Sequence, residues 1–144
     1  VVRWATLVLL TLLGCSDLRE FRGDWNGPSV GDGAVSVPAL GIAAARLAID
    51  DINNHGLQAR LTIDDLVPET AITSVPGAEA DALAGITFGG NPLRVYLAFV
   101  PVPDGGGEAL VVVSLYDDRR VEVRLLRGGP SPLYRIFALT EPPT

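Results

Sequence analysis

Between residues 108 and 139 three short apolar runs are separated by turn-forming residues, and this spacing constrains the fold more than any other feature of the chain. Residues 108–116 are almost continuously apolar and read as a buried strand. Asp117 and Asp118 turn the chain, and residues 119–127 return with Val121, Val123 and Leu125 alternating against Glu122 and Arg124. Residues 128–132, rich in Gly and Pro, turn it again into a third run over 133–139. Successive side chains of a strand point to opposite faces, so such runs each give one apolar face. Short strands joined by short turns describe an antiparallel meander, which buries its apolar face most simply by closing into a small barrel, or else by folding over as a sandwich.

The pattern extends upstream. Gly89, Gly90, Asn91 and Pro92 are a strong turn signal leading into a strand over residues 93–102, with Leu93, Val95, Leu97 and Phe99 on one side and Arg94 and Tyr96 on the other. Residues 67–76 suit an edge strand or ordered loop, since Pro68 and Pro76 flank a short apolar core. Val35 and Val37 fit a short irregular strand within the Gly- and Pro-rich residues 31–41, and residues 82–88 lead into the Gly-Gly-Asn-Pro turn. About eight strands are expected, making the class all-β.

Residues 43–65 carry two patterns at once. As β, Ala45, Leu47 and Ile49 alternate with polar or small residues, Asn53 to Gly56 make the turn, and Leu57, Ala59, Leu61 and Ile63 alternate back. As α, Ile42, Ala45, Ile49 and Ile52 fall at helical spacing with Gly56 as the stop. In the helical version the run Ala45-Arg46-Leu47-Ala48-Ile49-Asp50-Asp51-Ile52-Asn53 resembles the first helix of periplasmic binding proteins that serve branched-chain amino-acid transporters. That resemblance implies a truncated relative with a helix over residues 43–52. Those proteins are more than twice as long and open on an apolar strand that residues 27–38 do not supply, so the hairpin is the preferred reading.

Residues 4–13 form an apolar run broken only by Thr6 and Thr11, with Arg3 before it and Gly14 after it, which is the layout of a helical secretory signal. Ten residues at about 1.5 Å each span only about half of a bilayer core, so the run reads as targeting and not as a transmembrane helix. It ends in Leu12, Leu13, Gly14 and Cys15, which resembles the lipobox of bacterial lipoproteins. The resemblance implies removal of residues 1–14, acylation of Cys15, a lipidated tether over 15–22 and a single domain over 23–144. Ser16 after the Cys is similar to the outer-membrane type, implying a lipid-anchored place in the bacterial cell envelope, on the periplasmic face of the outer membrane or at the cell surface.

Phe21, Gly23, Trp25 and Gly27 alternate along the segment that follows, which could place Phe21 and Trp25 on one face of a first strand. Gly23, Asp24 and Trp25 are similar to the G-x-W motif that opens the first strand of lipocalins and other calycins, where the Trp closes one end of the barrel. That resemblance implies a calycin-like barrel holding a small apolar ligand, with Trp25, Tyr96 and Phe99 as candidate contacts.

Charge and residue types restrict the chemistry. The net charge of -6 argues against nucleic acid or a generic anionic lipid surface as partner. All eleven basic residues are Arg, so neither a Walker-type phosphate loop nor a Schiff-base lysine is available. His55 is the only imidazole and falls in an expected turn; no G-x-S-x-G elbow surrounds any Ser. With Cys15 acylated, one His cannot build the usual zinc site. The acidic pairs Asp50/Asp51, Asp64/Asp65 and Asp117/Asp118 lack the spacing of a calcium loop and read as turn formers. Arg120, Glu122 and Arg124 read as an outward charged strand face with cross-strand partners. The expectation is a non-enzymatic protein without cofactor, metal or catalytic residue, acting as a structural or protein-interaction module, with the apolar-ligand barrel as the alternative.

Overall fold

The computed structural model describes residues 17–31, 44–74 and 92–142. Cys15 and the apolar run before it, the short strand expected at Val35 and Val37, and residues 75–91 with their expected strand and turn lie outside the described residues.

A 3-10 helix, Leu18–Phe21, leads into eight strands: β1 Gly23–Gly31, β2 Ala44–Asn53, β3 Gly56–Ile63, β4 Val67–Ser74, β5 Arg94–Val102, β6 Gly107–Leu115, β7 Val121–Arg127 and β8 Leu133–Leu139. Every pairing is antiparallel, and the hydrogen-bonded order is β4-β3-β2-β1-β8-β7-β6-β5. The two four-stranded meanders join through β1 and β8, and β4 and β5 come to lie side by side, so the sheet is a nearly closed barrel. No helix among the described residues is long and apolar enough to cross a membrane.

The seam between β4 and β5 carries Pro68 near the start of one strand and Pro101 near the end of the other, at the same end of the barrel. Neither residue has an N–H to donate to a ladder, which is why prolines belong on edge strands. The join between β1 and β8 is tight instead: a Cβ on Gly27 would lie 1.8 Å from the carbonyl oxygen of Ala138.

Inward side chains from all eight strands fill one contiguous cluster, including Trp25, Leu47, Leu61, Tyr96, Val113, Leu125 and Phe137. The largest of them are 0% exposed, which leaves no water-sized gap beside them.

Residues 44–53 form a strand, so the helix implied by the resemblance to periplasmic binding proteins is not there. The physical source of the double pattern is a β-bulge. Ile49 pairs with Ala59, but Asp51 pairs with Gln58 and Ile52 with Leu57, so one extra residue shifts the register and returns Ile52 to the interior three positions after Ile49. Phe21 also departs from expectation: it belongs to the 3-10 helix and not to the first strand, and its side chain packs into the core cluster of the barrel.

Candidate functional site

One end of the barrel is plugged. Phe21 of the 3-10 helix is buried and stacks on Trp25 with ring centroids 5.7 Å apart, and the Trp25 indole N–H donates to the Phe21 carbonyl at 2.8 Å. The helix is held from outside as well. Asp17 caps it by accepting from the Arg19 N–H at 3.0 Å, Arg22 pairs with Asp51 at 2.5 Å, and Arg119 donates to the Glu20 carbonyl at 3.2 Å and pairs with Glu141. The bond from Arg22 holds the Asp51 carboxyl below the usual carboxylate range. The Tyr96 hydroxyl closes the same end from β5 by donating to the Asn53 carbonyl at 2.8 Å. Burial raises its pKa, because the phenolate would lose its hydration there.

The three candidate ligand contacts therefore do not form one site. Trp25 and Tyr96 lie in the core cluster and spend their polar atoms on backbone carbonyls. Phe99 lies on the opposite face of β5 from Tyr96 and is 67% exposed. Cys15 lies outside the described residues.

Phe99 heads a second apolar surface, on the outside of the barrel. Register places three rows across β5, β6, β7 and β8: Val95, Ser114, Glu122 and Ala138; Leu97, Val112, Arg124 and Ile136; Phe99, Leu110, Leu126 and Tyr134. Val95 and Val112 are buried, with Leu97, Leu110 and Leu126 packed against them, so β6 has apolar neighbours on both faces. The continuous apolar run of residues 109–113 signals such a doubly covered strand.

Glu122 and Arg124 stand among these outward rows yet are only 8% and 4% exposed. The Arg124 guanidinium donates through Nε to Glu122 at 2.5 Å and through Nη1 to the Tyr134 hydroxyl at 2.7 Å. Sequence reasoning places these two residues on an outward charged face but misses their burial and the part played by Tyr134. The third row is open: Phe99, Leu110, Leu126, Leu133 and Tyr134 line a surface hollow of about 520 Å³, rimmed by Glu108 and Arg127. Arg127 is committed to Asp104 through two bonds of 2.9 and 2.6 Å and holds that carboxyl well below its ordinary range, at about 2.

No protein-family model matches the chain, and comparison with curated proteins and with solved structures returns no match. His55 is exposed in the β2–β3 turn, Asp50 and Asp51 pair with Arg60 and Arg22, and Asp64, Asp65, Asp117 and Asp118 occupy turns. Among the described residues no three His, Cys, Asp or Glu side chains cluster as metal ligands.

Proposed function

We propose that this chain is a cell-envelope lipoprotein, anchored through Cys15, whose barrel is a non-enzymatic module that docks an envelope protein on the outer row Phe99, Leu110, Leu126 and Tyr134. The observation carrying this reading is the contrast between the two apolar faces of the same strands. The inner face is filled, with Trp25, Leu47, Leu125 and Phe137 all at 0% exposure, whereas the outer row exposes two thirds of Phe99 beside an apolar hollow. A large exposed aromatic next to a recess is the usual form of an interface anchor, and an interior without room for a ligand favours docking over enclosure. Anchoring on the periplasmic face of the outer membrane, or at the cell surface, fits the Ser16 that follows Cys15.

The test is site-specific photo-crosslinking in the native host, with the reactive side chain at position 99 and, as control, at Thr62 on the polar outer face of β3. The expected result is one discrete protein adduct from position 99 that is lost on adding Leu126→Asp, and none from position 62. Smeared or absent adducts from position 99, together with an apolar small molecule retained in native mass spectrometry of the gently purified protein, would replace this reading with the ligand-binding one.

A further inference from the structure

The docked 3-10 helix fixes how close the barrel stays to its anchor. Asp17 is already committed to the fold, with its carboxylate accepting from the Arg19 N–H and its carbonyl accepting from the Glu20 N–H at 3.1 Å. Only Ser16 lies between Asp17 and Cys15. Two residues at roughly 3.3–3.6 Å each reach about 7 Å, no more than about the thickness of one headgroup layer, roughly 5–8 Å. On the reading that Cys15 carries the lipid anchor, we infer that the plugged end of the barrel, where the described residues are those of the 3-10 helix, the β2–β3 and β6–β7 turns and the adjoining ends of β4 and β5, rests directly on the lipid headgroup surface and fixes the orientation of the domain.

The chemistry of the described residues at that end suits contact without insertion. Among them the charges are largely internal pairs, Arg22 with Asp51, Arg119 with Glu20 and Glu141, and Arg120 with Asp118, so these residues bring no strong field of either sign to the membrane. The large apolar side chains exposed among the described residues are Val30 and Phe99, and neither belongs to that end. The polar Asn54 and His55 and the acidic pair Asp117 and Asp118 occupy the two turns, at the level of hydrated headgroups. The helix, held by Phe21 and Trp25 inside and by Arg22 and Arg119 outside, transmits the position of the anchor to the barrel as a rigid link.

The opposite end then points away from the bilayer. A strand of nine residues such as β5 is about 30 Å long and, at the tilt usual in barrels, rises about 20 Å. Phe99 sits past the middle of β5, so its row stands clear of the headgroups and faces sideways, where a protein partner can reach it.

Cys15 is the only cysteine, so in the acylated protein a newly introduced cysteine is the only free thiol. The full chain, acylated in a bacterial host, is reconstituted into phosphatidylethanolamine and phosphatidylglycerol vesicles containing a nickel-chelating lipid. A nitroxide is placed at His55 or Asp118 on the plugged end, or at Asp64 or Ser131 on the far end. Loss of nitroxide amplitude at positions 55 and 118, with amplitude retained at 64 and 131, is the expected result. Equal or reversed losses in protein whose amino-terminal peptide carries the acyl chains would overturn the orientation while leaving the anchor intact. An unmodified Cys15 and protein that does not sediment with vesicles would instead remove the anchor, and the orientation with it. A flexible insertion of about twelve Gly and Ser residues between Ser16 and Asp17, which reaches about 20 Å, is expected to abolish the difference; its persistence would overturn the short link as the cause.

Discussion

The indole N–H of Trp25 donates to the carbonyl of Phe21, four residues earlier, while the two rings stack, so one residue pair joins the 3-10 helix to the barrel through a polar and an apolar contact at once. Trp25→Phe keeps the ring in place but leaves a carbonyl without its donor and a void where the larger ring was. The expected cost is about 1–3 kcal/mol in urea unfolding. Because the helix loses its internal tie, trypsin cleavage after Arg22 should accelerate before the barrel itself unfolds.

Gly27 marks where the two four-stranded meanders join. The Ala138 carbonyl occupies the space that a Cβ would need, with the Leu139 Cα beside it, and both are backbone in a paired strand, so neither can swing aside. Gly27→Ala is expected to open the β1–β8 pairing at a cost above about 3 kcal/mol, within the range of overpacking and lost hydrogen bonds combined. Circular dichroism and amide exchange localised to β1 and β8 would detect it; unchanged exchange there would contradict this account of the join.

The Glu122–Arg124 pair is buried on the barrel exterior, where removal of one charge leaves the other in a poorly hydrated place. Glu122→Ala is expected to cost about 2–4 kcal/mol, and Tyr134→Phe about 1 kcal/mol through loss of one bond to Arg124. Combined, the two should cost less than the sum of the single changes, since both act on the same guanidinium. Strict additivity in denaturant melts would show that the three side chains do not act as a network.

The all-β class and the barrel-forming meander are legible in the sequence because alternation and turn chemistry are local. What is not legible is whatever depends on which face is covered. The bulge between Ile49 and Asp51 leaves a three-residue gap in the apolar pattern that imitates a helix. Val95, Leu97 and Phe99 look like a core face until Tyr96, Ala98 and Val100 are found to hold that position, because β5 is apolar on both sides. Phe21 and Trp25 fit two alternate positions of one strand as well as they fit a helix stacked on a strand; only the tertiary contact separates the two. Of the candidate site, Phe99 is named by the sequence, but Leu110, Leu126 and Tyr134 join it only through the strand register.

Acid should act on the far end of the barrel through Asp104. Its folded-state pKa of about 2 lies below the ordinary 3.8 because Arg127 bonds to the ionised form. The unfolded chain therefore takes up this proton first as pH falls. The contribution of the pair is fully present above about pH 4 and disappears as pH falls towards 2. An NMR titration of the Asp104 carboxyl should show the depressed midpoint, and Arg127→Ala should return it towards 3.8. The stability gap between the natural protein and Asp104→Asn should close over the same window.

Phe99 separates recognition from stability. Its ring is largely in water, so Phe99→Ser is expected to change unfolding stability by no more than about 0.5 kcal/mol, whereas Leu47→Ala in the filled interior should cost about 2–5 kcal/mol. If the outer row docks a partner, Phe99→Ser should remove the partner from complexes isolated with the intact, membrane-bound protein while leaving its abundance unchanged. Leu47→Ala should do the reverse, lowering abundance while the surviving folded fraction still binds. A Phe99→Ser protein that keeps its complexes would move the search to another face, and one that is strongly destabilised would mean that Phe99 serves the fold and not an interface.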